Sequence, residues 1–193
     1  MDYQKILSHL DYICQTYEDI NLVREIINSI NKNQLASKSW LVDKCENYFE
    51  SVSKPKVLVA AGWFGLLGHL IKQKYDADVV SFDMDPTCAE IGKILFPEVK
   101  YESNFIENQS ASGFDFVICT SCEHMEDDII NEWISTRDKN SIVILQSNNY
   151  YEIDEHINCK DSLEHFCSSY HLNIIESMEL ERDKYNRFML VGS

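Results

Sequence analysis

Positive charge is scarce in this sequence: 17 lysines and arginines stand against 32 aspartates and glutamates, a formal net charge of −15. A phosphate backbone is gripped by a basic footprint, so this balance speaks against DNA or RNA as partner, and equally against an anionic membrane surface. No stretch approaches the ~20 consecutive apolar residues that span a bilayer. The opening MDYQKILSHLDYICQ breaks its apolar positions with charges, so no secretory leader is expected there. Low-complexity runs and internal repeats are also absent. The seven cysteines are odd in number and sit mostly in apolar segments, which fits reduced thiols better than a disulfide framework. A cytoplasmic protein with a small-molecule partner is therefore expected, without nucleic acid or membrane. No feature fixes an oligomeric state. What is present is ordinary globular material, 45% hydrophobic and 25% charged, in a length that suits one domain.

Two textures follow one another along the chain. Residues 1–54 read as helical: Ile6, Leu10, Ile13 and Tyr17 share one helix face, and Ile20, Val23, Ile27 and Ile30 share another. Asn31-Lys32-Asn33 reads as a break, and Ser37 as the N-cap of a third helix with Leu41, Cys45, Tyr48 and Val52 on its buried side. Pro55 closes this region. From 55 to 193 short apolar runs alternate with helical stretches: Lys56–Ala61, Asp78–Phe82, a weak Val99–Tyr101, Phe114–Cys119 and Ser141–Leu145. Unalternated apolar runs are strands covered on both faces, and their alternation with helices predicts a parallel α/β sheet. Leu172–Leu180 and Arg187–Val191 are joined by a link too short for a crossover helix, so the last two strands are expected to pair antiparallel. The predicted architecture is thus a helical cap over 1–54 and one compact α/β unit over 55–193.

The sharpest local feature is an apolar strand running into spaced glycines and then a helix: Val57-Leu58-Val59-Ala60-Ala61-Gly62-Trp63-Phe64-Gly65-Leu66-Leu67-Gly68. Glycine permits a tight turn and close backbone approach, and the following helix offers free N–H groups to a ligand. Asp83 lies 21 residues after Gly62, at the end of the second strand, where a carboxylate can accept from both ribose hydroxyls of an adenosine group. Asn104 ends the third strand, placed to read an adenine amino group, with Met84, Phe105 and Ile106 available to sandwich the ring. Trp63, inside the turn, is expected to wall the same pocket.

The stretch from Lys56 to Ser193 resembles the class I S-adenosylmethionine-dependent methyltransferases, whose seven-stranded Rossmann-like sheet ends in an antiparallel pair. The resemblance implies S-adenosylmethionine as cofactor, with Gly62 and Gly65 at its methionine portion, Asp83 on the ribose and Asn104 at adenine; Thr120, after the fourth strand, joins this set. Two departures are visible. Ala60-Ala61 stand where the family carries an acidic residue, and the glycine spacing is G-x-x-G-x-x-G. Ser37 and Lys38 either supply polar contacts to the cofactor carboxylate or are simply an N-cap and a surface lysine. A dinucleotide-binding unit fits the acid but not the glycine spacing.

Ligands of open α/β sheets bind outside the carboxyl ends of the strands, so the chemistry is expected after strands four and five. Strand four ends in Cys119-Thr120-Ser121-Cys122-Glu123-His124, strand five in Gln146-Ser147-Asn148-Asn149-Tyr150. Methyl transfer needs an aligned nucleophile and, for a hydroxyl or ammonium, a proton acceptor. His124 is the candidate base because imidazole titrates near neutrality, and Glu123 the candidate that orients it or a substrate amine. Asn148, Asn149, Tyr150 and His156 are candidates for holding a small polar substrate, and Arg187 for gripping a substrate carboxylate through both nitrogens of its fork. Cys119-x-x-Cys122 with His124, His156 and Cys159 makes a zinc site conceivable, but a second C-x-x-C is missing and Cys119 continues a buried strand, so no metal site is assigned. The expected reaction is methyl transfer to N or O of a small polar metabolite. Aminocarboxypropyl transfer, cofactor cleavage and a non-catalytic cofactor-binding module are the alternatives. Nucleic-acid amino-methylation is disfavoured, since Thr120-Ser121-Cys122-Glu123 does not match Asn/Asp-Pro-Pro-Tyr.

Overall fold

The structure is a computed structural model that describes residues 3–193. Helices α1 (Tyr3–Thr16), α2 (Ile20–Ser29), α3 (Lys32–Lys44) and α4 (Glu46–Glu50) come first; then β1 (Lys56–Ala60), α5 (Leu66–Lys74), β2 (Asp78–Asp83), α6 (Pro86–Leu95), β3 (Lys100–Ser103), β4 (Phe116–Cys119), α7 (Asp127–Ser135), β5 (Ile142–Asn148), α8 (Leu163–Ser168), β6 (Ile174–Glu181) and β7 (Asn186–Gly192). The strands form one seven-stranded sheet in the order β3-β2-β1-β4-β5-β7-β6. The expected antiparallel ending is present: β7 lies antiparallel to both β5 and β6, while the β1–β4, β4–β5 and β2–β3 pairs are parallel. Among the described residues no helix is long and apolar enough to cross a membrane.

Two compact units share this topology. The first joins the residues up to Lys54 with Gly62–Asn104. Its helices begin where side chains satisfy their free N–H groups: Asp19 accepts from Asn21 and Leu22, and Asp85 accepts from Thr87 with Pro86 at the first helical position. The third helix corrects the sequence reading. Asn31 Oδ1 accepts from the Asn33 and Gln34 N–H groups at 2.9 and 3.0 Å, so Asn31 is the N-cap and Ser37 lies inside α3. Lys38 is not a surface lysine either. It is buried, and its Nζ donates to Gln34 Oε1 one turn earlier. α3 packs on α5, where Tyr75 Oη donates to Val42 O at 3.0 Å and Lys74 Nζ reaches Asp43 and Glu46 at 3.0 and 3.1 Å. α1 packs on α6, with His9 Nδ1 3.0 Å from Leu95 O.

The second unit joins Pro55–Ala61 with Phe105–Ser193. Its core is the apolar sheet: β1, β4 and β7 are buried nearly throughout. Register fixes the functional end. Ala60 lies opposite Cys119 and Cys119 opposite Leu145, so the carboxyl ends of β1 and β4 are level while β5 runs three residues further, to Asn148. Because β7 runs the other way, its first residues return to that same end, and Arg187 lies opposite Asn148.

Candidate functional site

The backbone that follows β1 folds back sharply. Ala61 and Trp63 adopt left-handed φ of 47° and 51°, and Gly65 follows at 91°. Each non-glycine residue there costs about 1–2 kcal/mol, and such strain gathers where a site needs a particular backbone shape. Asp83 holds the turn: its Oδ2 accepts from Trp63 N–H at 3.0 Å and its Oδ1 from Asp85 N–H at 3.2 Å. Gly62 N–H donates to Phe82 O and Asn104 N–H to Asp83 O, both at 3.0 Å, so the ends of β2 and β3 are joined to the turn. A carboxylate oxygen accepts about two hydrogen bonds. Each Asp83 oxygen has taken one of these, and the residue is half-buried, so room for two donors remains, the number a ribose diol presents. Met84, beside it, is 64% exposed. These residues fit an adenosine group.

Gly65 has a second reason to be glycine beside its left-handed φ. A Cβ there runs into the hydroxyl of Tyr101, as does one at Gly92 into the Tyr101 ring. Tyr101 of β3 thus fills both glycine gaps, with its hydroxyl 3.4 Å from Phe64 O and 3.3 Å from Phe96 O. The bare face of Gly65 receives this ring. The sequence reading named Tyr101 only as a strand residue.

In the second unit the strand ends converge on a buried charge pair. Arg187 and Glu123 are 8% and 4% exposed, with Arg187 Nη1 donating to Glu123 Oε1 at 2.7 Å. Arg187 Nη2 donates to Thr120 O, and Asn148 Nδ2 adds a second bond to Glu123 Oε1 at 2.7 Å. Burial works against the guanidinium charge, but the neighbouring carboxylate outweighs it, so Arg187 stays charged. The expectation that Arg187 grips a substrate carboxylate is therefore corrected: its fork is spent inside the protein, because β7 points it inward at Glu123. Asn148 Oδ1 accepts from Tyr150 N–H at 2.8 Å, and Asn149 Oδ1 from Asn186 N–H at 2.7 Å, so both amides brace the backbone. Tyr150 packs on Tyr185 and donates to Glu152 Oε2 at 3.0 Å. Thr120 is buried, and Phe105 is 53% exposed.

His124 and His156 do come together, with ring centroids 4.8 Å apart. The loop carrying His156 is tied to the strand ends: Asn158 N–H donates to Glu123 O at 2.9 Å and Lys160 N–H to Asn148 O at 3.0 Å. Lys160 is the residue that sequence reasoning missed. It is 2% exposed, and its Nζ donates to Asp127 Oδ2 at 2.5 Å and Asn158 Oδ1 at 2.8 Å. No periodicity marks a lysine in an irregular loop as buried.

The sheet order and its antiparallel ending define a class I S-adenosylmethionine-dependent methyltransferase fold. Solved structures with this fold include magnesium protoporphyrin IX methyltransferase from Synechocystis PCC 6803 with bound S-adenosylmethionine. It shares 14% identity at a TM-score of 0.67, over 98% of this chain and 97% of that one. A second is an S-adenosylmethionine-dependent methyltransferase from Clostridium acetobutylicum ATCC 824, at 12% identity and a TM-score of 0.64, over 89% and 97% of the two chains. Coclaurine N-methyltransferase, bound to N-methylheliamine and S-adenosylhomocysteine, matches at 15% identity and a TM-score of 0.58; the match covers 74% of this chain and 51% of that one, so this chain spans about half its length. No protein-family model matches the sequence, and neither does any curated protein.

Proposed function

We propose that this protein is an enzyme that transfers the methyl group of S-adenosylmethionine to nitrogen or oxygen of a small polar metabolite in the cytoplasm. The observation that carries this is Asp83, a half-buried carboxylate that clamps a strained turn and keeps acceptor capacity for a ribose diol. The cofactor supplies a methyl group already activated by its sulfonium. Asp83 takes the ribose hydroxyls, Asn104 meets the adenine edge and Met84 gives the base an apolar surface. Gly62 and Trp63 shape the turn, and Ser37 and Lys38 of α3 serve the carboxylate end. The sheet neighbours that bind S-adenosylmethionine or its product support the same reading. On the acceptor side, His124 takes the proton that a hydroxyl or ammonium must lose. Its Nδ1 lies 3.0 Å from Glu155 O, which leaves the lone pair on Nε2. Glu123 and Arg187 hold the floor of this corner. The net charge of −15 favours a small molecule over a polyanion.

Calorimetry with S-adenosylhomocysteine tests the reading. Removing the charge-assisted bonds by Asp83→Ala is expected to weaken binding by about 1.5–3 kcal/mol, roughly 10- to 150-fold. Asp83→Asn, which keeps an acceptor for Trp63 N–H, separates loss of charge from collapse of the turn. Wild-type protein that ignores the ligand, or variants that bind it as tightly, would overturn the assignment. A labelled-methyl screen of metabolite pools then finds the acceptor. Ala60-Ala61, in place of an acidic residue, favours one second reading: transfer of the aminocarboxypropyl group or cleavage of the cofactor, which mass spectrometry of the products distinguishes.

A further inference from the structure

The corner formed by Glu123, His124 and His156 is built for more than one proton. A ring nitrogen of each histidine and a carboxylate oxygen of Glu123 lie within 4.8 Å of one another. The two rings meet edge to face, at an interplanar angle of 84°. Three independent features point to a cation among them.

The first is the tautomer. His124 Nδ1 lies 3.0 Å from Glu155 O, and His156 Nδ1 lies 2.7 Å from Tyr150 O. A carbonyl only accepts, so each Nδ1 carries the proton and each Nε2 carries the lone pair. Histidines that ligate metals are oriented by this same N–H···O=C bond. The second is an orphaned atom. Glu123 Oε1 takes Arg187 and Asn148, while Oε2 is buried with no partner. A buried carboxylate oxygen without a donor is costly, and a cation satisfies it. The third is preorganisation. Asn158 and Lys160 fix the loop of His156 to the ends of β4 and β5 through the backbone bonds already described, so the ligands sit on held backbone.

We propose that Glu123, His124 and His156 bind one divalent first-row transition-metal ion of the Zn²⁺ class. Two imidazoles and one carboxylate select such borderline ions over Mg²⁺ and Ca²⁺, which prefer all-oxygen shells. Bonds of about 2.0–2.2 Å put tetrahedral ligand atoms about 3.4 Å apart, and the exposed His124 ring closes the remaining gap. Three protein ligands leave a position open for water or for a heteroatom of an acceptor. An ion there uses the lone pair that otherwise takes the acceptor's proton, and acidifies the bound acceptor atom instead. The C-x-x-C cysteines are not ligands: both are buried, and Cys122 Sγ turns back to Cys119 O.

The test uses the full chain, stripped with chelator and titrated with Co²⁺ alone, so its outcome does not depend on the methyltransferase reading. One equivalent is expected to give visible d–d absorption that Zn²⁺ abolishes and excess Mg²⁺ does not. His124→Ala and His156→Ala should each weaken Co²⁺ by at least about 100-fold, with thermal unfolding near wild type because neither residue belongs to the core. Glu123 is left intact because Arg187 depends on it. Three results would each sink the proposal: no d–d band, undiminished affinity in both variants, or a thiolate-to-cobalt charge-transfer band placing the ion on cysteine.

Discussion

Arg187→Met isolates what the buried charge pair does for the fold. The guanidinium is 8% exposed and meets Glu123, 4% exposed, at 2.7 Å. Removing it leaves the Glu123 carboxylate in the interior with Asn148 Nδ2 as its remaining hydrogen-bond donor. Breaking a buried pair from one side costs about 3–5 kcal/mol, because the surviving charge is desolvated and uncompensated. For a chain of this length about 2–4 °C of Tm goes with each kcal/mol, so Arg187→Met should melt about 6–20 °C below wild type. The double variant Glu123→Leu/Arg187→Met removes both charges and should recover at least about 2 kcal/mol relative to the sum of the single changes. Urea unfolding followed by far-ultraviolet circular dichroism reads all four proteins, provided the slopes agree. Strict additivity of the two single losses would refute the reasoning, since it would mean the charges do not depend on one another.

Gly65→Ala should destabilise the fold by more than about 1–2 kcal/mol in chemical denaturation, since φ is 91° and the new methyl group meets Tyr101. Equal stability would show that the turn relaxes freely. Burial raises the Asp127 pKa, but the hydrogen bonds from Lys160 and Asn158 outweigh this and hold it below an aspartate's ordinary value. A folded carboxyl with a depressed pKa contributes stability that is present above its unfolded pKa and lost as pH falls through the folded value. Stability should therefore fall in acid below about pH 4 with a component that Lys160→Met removes; an unchanged slope in that variant would detach Asp127 from Lys160. Iodoacetamide at pH 8 should label exposed Cys14 rapidly and leave Cys45, Cys88, Cys119 and Cys122 unmodified in mass spectra of native protein. Burial, then Asp83 and Asp85, push the Cys88 thiol up, so modification of Cys88 at a comparable rate would contradict its environment.

The strands were legible because a sheet covered on both faces needs unbroken apolar runs. Val57–Ala60, Val79–Phe82 and Phe116–Cys119 could hardly be anything else. The short link between β6 and β7 gave the antiparallel ending for a purely geometric reason. Asp83 and the Glu123-His124 pair were legible as polar residues ending apolar strands. The start of α3 was not, since Asn31, Asn33 and Ser37 are all competent caps and only the folded backbone selects Asn31. The inward turn of Arg187 depends on which face of β7 meets Glu123, a matter of pairing rather than of local sequence. Tyr101 and Lys160 were invisible for the same cause: each fills a space created by residues far away in the chain.

One loop both presents His156 and supplies the carbonyls of Tyr150 and Glu155 that steer the two imidazoles. Orientation and presentation therefore fail together: a single lifting of residues 149–160 releases both rings at once. The lifetime of anything held in that corner is then bounded by how often the segment peels away. Exchange of the Asn158 and Lys160 amide protons with deuterium clocks that peeling directly, because both protons sit in the backbone bonds that fasten the segment down.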